Sequence, residues 1–138
     1  MNKICTTVEQ SKRLIELGID INTADMHYYK NSFGDYIEGL YNSSDLKEGC
    51  QLKGIEYIPA WSLSALFSIL PIVYTNNKKE ICGPLHVDII DSETPFVLWY
   101  VNPLHKGDIV ELQTKEYDNL VDACVEMILK LKENNNLL

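Results

Sequence analysis

The feature that most limits the fold of this chain is the apolar pattern of its last twenty residues. Val121, Val125 and Leu129 occupy positions that an ordinary surface helix gives to polar side chains. The core-facing i, i+3, i+4, i+7 spacing is carried by Leu120, Ala123, Cys124, Met127, Ile128 and Leu131. Only a narrow polar stripe remains, so this helix must be covered on more than one side. The cover is predicted to be a sheet together with a neighbouring helix or a second subunit.

Length and hydropathy predict one cytoplasmic domain. A chain of 138 residues is long enough to bury a core of its own, and we expect a single domain over 1–138. The sequence contains no stretch of about 18 apolar residues, which a membrane-spanning helix would need. The N-terminal sequence has no apolar core of the kind that a signal peptide carries, so we expect a cytoplasmic protein that does not interact with membranes.

Charge and cysteine spacing exclude several classes of site. The net charge of −8 argues against direct nucleic-acid binding, which needs a cationic surface. The four cysteines show no CxxC spacing and are expected to be free thiols. Cys82 and His86 could contribute to a zinc site, but Gly83 and Pro84 interrupt their spacing and no second pair accompanies them. We therefore predict no metal site and no cofactor.

Three helices are predicted, over about 7–17, 63–70 and 119–133. Thr7 and Gln10 have the spacing of a capping box, and Gly18 supplies the expected stop. Ser62 is the predicted N-cap of the second helix and Asp118 that of the third. A tryptophan just before the second helix, Trp61, is predicted to be a core anchor whose indole N–H finds a partner.

The remaining periodic segments alternate as strands. Residues 55–58 form a short strand that Pro59 is predicted to end, and residues 86–89 and 109–113 alternate apolar with polar side chains. Residues 95–101 show no polar face, which is typical of a central strand covered on both sides. The fold class is therefore α+β: a small, mostly antiparallel sheet packed with three helices. Either helices lie on both faces, as in an α/β/α sandwich, or a partner closes one face.

A polar, glycine-containing excursion at about 30–54 interrupts the regular pattern. Aromatic residues gather in and just before it. Tyrosines on loops are common at recognition surfaces because they bury a large area at low entropic cost. The sequence thus predicts a protein-binding surface formed by Tyr28, Tyr29, Phe33, Tyr36 and Tyr41.

Motifs that fix a catalytic mechanism are missing from the sequence. It contains no P-loop, no GxGxxG and no HExxH pattern, so we predict no catalytic residues. An enzyme or ligand-binding protein remains the alternative hypothesis, with a pocket near His86, Asp88 and His105. That alternative requires these side chains to converge in a cleft.

Three segments carry a resemblance to a known group of proteins: residues 9–14 with 23–26, residues 58–66, and residues 119–127. Together they resemble short proteins from prophages and mobile elements of anaerobic gut bacteria. The likeness covers about half of the chain and carries no assigned activity. It implies an accessory protein of a mobile element that binds a host or phage protein. With the apolar helix and strand, it leads us to expect protein–protein association without catalysis, including a homo-oligomer.

Overall fold

The computed structural model has a mixed α+β fold, which confirms the predicted class. In the described part, the chain contains three α-helices and three small antiparallel sheets rather than one sheet. It divides into an N-terminal unit, Ile4–Ala65, and a C-terminal unit from Leu66 onward. The prediction of a single domain stays a prediction. The structure describes residues 4–39, 56–90, 93, 95–104 and 109–136.

The first helix, α1, spans Val8–Glu16 and is capped at both ends. Thr7 accepts a hydrogen bond from the backbone N–H of Gln10, whose side chain accepts one from the backbone N–H of Thr7. At the other end, Gly18 has a φ of 87°, and its N–H donates to the carbonyl group of Ile15. The N–H of Ile19 donates to Leu14, which completes a Schellman motif. The predicted capping box and glycine stop are both confirmed.

A three-stranded antiparallel sheet follows in the N-terminal unit. Its strands are β1 (Met26–Lys30), β2 (Tyr36–Gly39) and β3 (Tyr57–Ala60), with β1 in the centre. The prediction that Pro59 ends its strand is wrong, because β3 continues through Pro59 to Ala60. Since β3 lies at the edge of the described sheet, a residue without a backbone N–H is tolerated there.

Helix α2 spans Leu63–Ile69, and the chain passes from one unit to the other within it. The Ser62 hydroxyl accepts a hydrogen bond from the N–H of Ala65 at 3.2 Å, as predicted for the N-cap. Trp61 is fully buried, and its indole N–H donates to the Thr23 hydroxyl at 2.8 Å. The predicted core anchor is therefore confirmed.

The C-terminal unit contains two sheets. The short strands β4 (Tyr74–Thr75) and β5 (Ile81–Cys82) form a hairpin. The strands β6 (Leu85–Ile89), β7 (Phe96–Asn102) and β8 (Ile109–Gln113) form an antiparallel sheet with β7 in the centre. The register between β7 and β8 shifts between Tyr100 and Val101, at a bulge. The doubly apolar segment is thus the central strand, as its sequence predicts.

The final helix, α3, spans Leu120–Glu133 and lies against β7 and β8. Its N-cap is Asn119, which accepts a hydrogen bond from the N–H of Asp122, so the prediction of Asp118 is wrong by one position. The wide apolar arc is buried within the chain, at Val121, Ala123, Cys124, Val125, Met127, Ile128 and Leu131. The prediction that this helix is covered on more than one side is confirmed. The cover requires no second copy of the chain. The helix therefore gives no support to the predicted homo-oligomer.

No helix in the described residues is both long and apolar enough to cross a bilayer.

Candidate functional site

The candidate site is the side of the β6–β8 sheet that carries Trp99. In a strand, successive side chains point to opposite faces, so one face of β7 receives Leu98 and Tyr100 and the other receives Val97 and Trp99. Leu98 and Tyr100 are fully buried, and the Tyr100 hydroxyl interacts electrostatically with Cys124 of α3. Helix α3 therefore covers the Leu98 side. The opposite side, here called the Trp99 face, consists of His86, Asp88, Ile90, Val97, Trp99, Val110 and Gln113.

Trp99 is held by two neighbours on β6. Its ring stacks on the His86 imidazole, with centroids 4.2 Å apart and planes inclined by 17°. Its indole Nε1–H donates a 2.7 Å hydrogen bond to Asp88 Oδ2. His86 lies directly opposite Trp99 in the strand register, so the stacking follows from the pairing of the strands. These contacts fix the orientation of a half-buried indole.

Beside Trp99 the face forms an open concavity of about 240 Å³. Ile90 is 53% exposed and Val110 is 44% exposed at its margin. Among the described residues that line it, the polar ones are Asp88 and Gln113, and none is a lysine or an arginine. An apolar surface with an ordered aromatic residue and a few polar groups has the composition of a recognition site.

Two of the three residues near which the alternative hypothesis places a pocket, His86 and Asp88, lie within the described part of the structure. His86 and Asp88 lie on the same face and both contact Trp99. Only Asp88 lines the concavity, and His105 lies outside the described residues. The two side chains are thus brought together around the indole rather than around a space for a substrate.

The predicted aromatic surface is divided by the structure. Tyr28 packs against a buried cluster of Cys5, Met26 and Ala60, and its hydroxyl donates to the carbonyl group of Thr6 at 2.7 Å. Tyr36 lies on β2, on the same face of the sheet as Tyr28, whereas Tyr29 is on the opposite face of β1 and Phe33 is in the β1–β2 turn with 87% exposure. Tyr41 lies outside the described residues. Protein binding by this region stays a prediction.

Tyr36 belongs to a charged cluster at the surface of the N-terminal unit. Its hydroxyl donates to Glu56 at 2.7 Å, and Lys30 Nζ lies 3.1 Å from the other carboxylate oxygen. The hydrogen bond from Tyr36 and then that from Lys30 lower the pKa of Glu56. The same carboxylate raises the pKa of both donors. Because each charge is already compensated, the cluster serves to join strands β1, β2 and β3.

A concavity of about 320 Å³ lies beside that cluster. It is lined from α1 by Lys12, Ile15 and Glu16, and from the β3 side by Glu56, Tyr57, Ile58 and Pro59. Its lining carries one lysine and two glutamates, and one of these, Glu56, is already paired with Lys30.

A polar network near the β4–β5 hairpin was not predicted from the sequence. The Asn76 side-chain amide donates to Glu80 at 3.1 Å and to Glu111 at 2.9 Å, and fully buried Asn102 also donates to Glu80. The Asn76 carbonyl oxygen accepts from the backbone N–H groups of Lys78 and Glu80. Asparagine often forms such turns, and this preference was the only signal in the sequence for the network. The network closes the hairpin and anchors it to β7 and β8.

The described cysteines are poor candidates for nucleophiles. Cys5, Cys82 and Cys124 are buried free thiols, whereas Cys50 lies outside the described residues. Burial raises the pKa of Cys124 to about 12, and burial followed by the nearby Glu111 raises that of Cys82. A protonated, buried thiol does not attack a substrate. Within the described residues, no group of three or more histidine, cysteine, aspartate or glutamate side chains could hold a metal ion.

Comparisons with protein-family models, with curated proteins and with solved structures find no match to this chain.

Proposed function

We propose that this chain is a non-catalytic accessory protein that acts by associating with another protein through its Trp99 face. One observation carries the proposal. The oriented side chain of Trp99 lies on the side of the sheet opposite α3, and exposed apolar residues flank it at the end of β6 and on β8. Interfaces are enriched in aromatic residues, and an exposed apolar patch is a common mark of an interaction surface. Ile90 and Val110 supply the apolar flanks.

The geometry favours binding over catalysis. The Asp88 carboxylate accepts from Trp99, and His86 is stacked on the same ring without lining the concavity. A general acid and base would have to reach a shared substrate position, which this arrangement does not provide. The sequence resemblance adds the context of a phage or mobile element, in which the partner would be a host or phage protein.

Position-specific photocrosslinking tests the proposal. The photoreactive residue p-benzoylphenylalanine replaces Ile90 in one variant and Val110 in another, and exposed Asn77 in a matched control. Irradiation of cells that express each variant should give one defined adduct from positions 90 and 110 and none from position 77. Adducts of twice the mass of the chain would identify a second copy as the partner. Equal adduct formation at all three positions, or none at any, would contradict association through this face.

A further inference from the structure

The charge distribution of the Trp99 face points to the chemistry of its partner. We propose that the concavity receives an arginine side chain from a basic segment of the partner protein. This inference rests on the proposed association through the Trp99 face. It adds which group of the partner is recognised and which residues recognise it.

The electrostatic character of the Trp99 face favours a cationic ligand. Strands β6, β7 and β8 contain no lysine or arginine, and Asp88 is the one carboxylate among the described residues that line the concavity. The other carboxylate on these strands, Glu111, accepts a hydrogen bond from Asn76. The whole chain carries a net charge of −8, so it attracts cationic partners and repels anionic ones.

The shape and polarity of the concavity favour a guanidinium group. Trp99, Asp88 and Gln113 line the same concavity of about 240 Å³. A guanidinium group is planar, stacks on aromatic rings and carries five N–H donors. It can lie over the indole while donating to the oxygens of Asp88 and Gln113. An ammonium group lacks the plane that stacks on indole, so lysine fits less well.

The side chains of the Trp99 face are already oriented for binding. The hydrogen bond from Trp99 Nε1 to Asp88 Oδ2 and the stacking on His86 hold the indole and the carboxylate in place before any ligand binds. The entropic cost of ordering these two side chains on binding is therefore small. Exposed Ile90 and Val110 leave room for apolar residues that flank the arginine in the partner.

NMR titration with three capped tripeptides tests this assignment: Leu-Arg-Leu, Leu-Lys-Leu and Leu-citrulline-Leu. Citrulline has nearly the shape of arginine but no charge. The chain contains two tryptophans, so each indole N–H signal reports on one site. The Leu-Arg-Leu peptide should shift the Trp99 signal and leave that of fully buried Trp61 unchanged. Equal affinity for the lysine or the citrulline peptide would overturn the assignment of an arginine.

Two variants supply the matched controls. Asp88→Asn keeps the shape and an acceptor for the indole but removes the charge, and it should weaken Leu-Arg-Leu binding roughly tenfold. Glu116→Gln removes the same charge at an exposed position outside the concavity and should leave the affinity unchanged. Equal effects of the two variants would mean that only the net charge matters, which would also overturn the proposal.

The experiments distinguish a failure of the arginine assignment from a failure of the proposed function. A crosslinked adduct specific to positions 90 and 110, without a Trp99 shift from Leu-Arg-Leu, would support the proposed function but overturn the assignment of an arginine as the ligand. A Trp99 shift that depends on protein concentration alone would identify a second copy as the occupant and likewise remove the arginine. Absence of any face-specific adduct would remove the proposed function itself.

Discussion

The indole Nε1–H of Trp99 donates a 2.7 Å hydrogen bond to the Asp88 carboxylate on the neighbouring strand. Both residues are exposed to solvent to some degree, so the bond contributes more to orientation than to folding free energy. We expect Asp88→Ala to lower the free energy of unfolding by at most about 1 kcal/mol. The same substitution should accelerate hydrogen exchange of the Trp99 indole N–H, measured by NMR. Asp88→Asn is the control, because it keeps an acceptor; exchange as fast as in Asp88→Ala would contradict this account.

Leu98 and Ile89 occupy the same sheet with opposite degrees of burial. Leu98 is fully buried on the α3 side, whereas Ile89 is 75% exposed. Leu98→Ala should therefore lower the free energy of unfolding by about 2–5 kcal/mol, since it removes buried methyl groups and leaves a cavity. Ile89→Ala should change it by about 0.5 kcal/mol or less. Urea unfolding followed by circular dichroism checks both values, and similar losses would contradict the difference in burial between Leu98 and Ile89.

The capping box of α1 is predicted to stabilise the N-terminal unit. Thr7→Ala removes the acceptor for the Gln10 N–H and should cost about 1 kcal/mol of unfolding free energy. Thr7→Ser keeps a hydroxyl group and should retain most of that stability. Thr75→Ala, at an exposed position on β4, is the control for the general effect of replacing a threonine. An equal loss in Thr7→Ala and Thr75→Ala would remove the capping box as an explanation.

Local sequence signals predicted the parts of the fold that depend on neighbouring residues. The Thr7–Gln10 spacing, Gly18 and Ser62 marked helix ends, and the segment around Leu98 and Tyr100 marked a central strand. Each helix end depends on residues within one turn, and the central strand depends on one run of apolar side chains. The N-cap of α3 was missed by one residue because Asp118 and Asn119 are both good caps, and only the observed backbone separates them.

Features that depend on strand pairing could not be predicted from the sequence. The stacking of His86 on Trp99 requires the β6–β7 register, and the sequence alternation gives each strand two faces without saying which strand lies beside it. The packing of partly buried Tyr28 involves Cys5, 23 positions earlier in the chain. The Asn76 network likewise joins Glu80 to Glu111, which come together only when two sheets meet.

The raised pKa values of the buried thiols predict slow chemical modification. In the native protein at pH 8, Cys82 and Cys124 should react with iodoacetamide far more slowly than in urea, because burial keeps them protonated and inaccessible. Mass spectrometry of the digested protein identifies the position of each adduct. The rates measured for Cys82 and Cys124 in the unfolded chain are the internal control. Rapid native labelling of Cys82 would contradict its burial.

His27 should make the N-terminal unit less stable in acid. The imidazole is buried on the central strand β1, and its Nε2 atom has no hydrogen-bond partner in the described part of the chain. Burial lowers its pKa below the ordinary value of 6.5. Near that pH the unfolded chain therefore takes up a proton that the folded chain does not, so stability falls as the pH drops through 6.5.

Two histidine variants isolate this effect. Urea unfolding at pH 5.5 and at pH 7.5 should show a loss of stability at the lower pH, and His27→Gln should reduce that loss because glutamine does not titrate. His86→Gln replaces a partly exposed histidine on the Trp99 face, and it should leave the effect of pH in place. The prediction is wrong if His27→Gln and the unmodified chain lose the same free energy between the two pH values. In that case the proton uptake on unfolding belongs to other groups, and the buried imidazole is not the source of acid sensitivity.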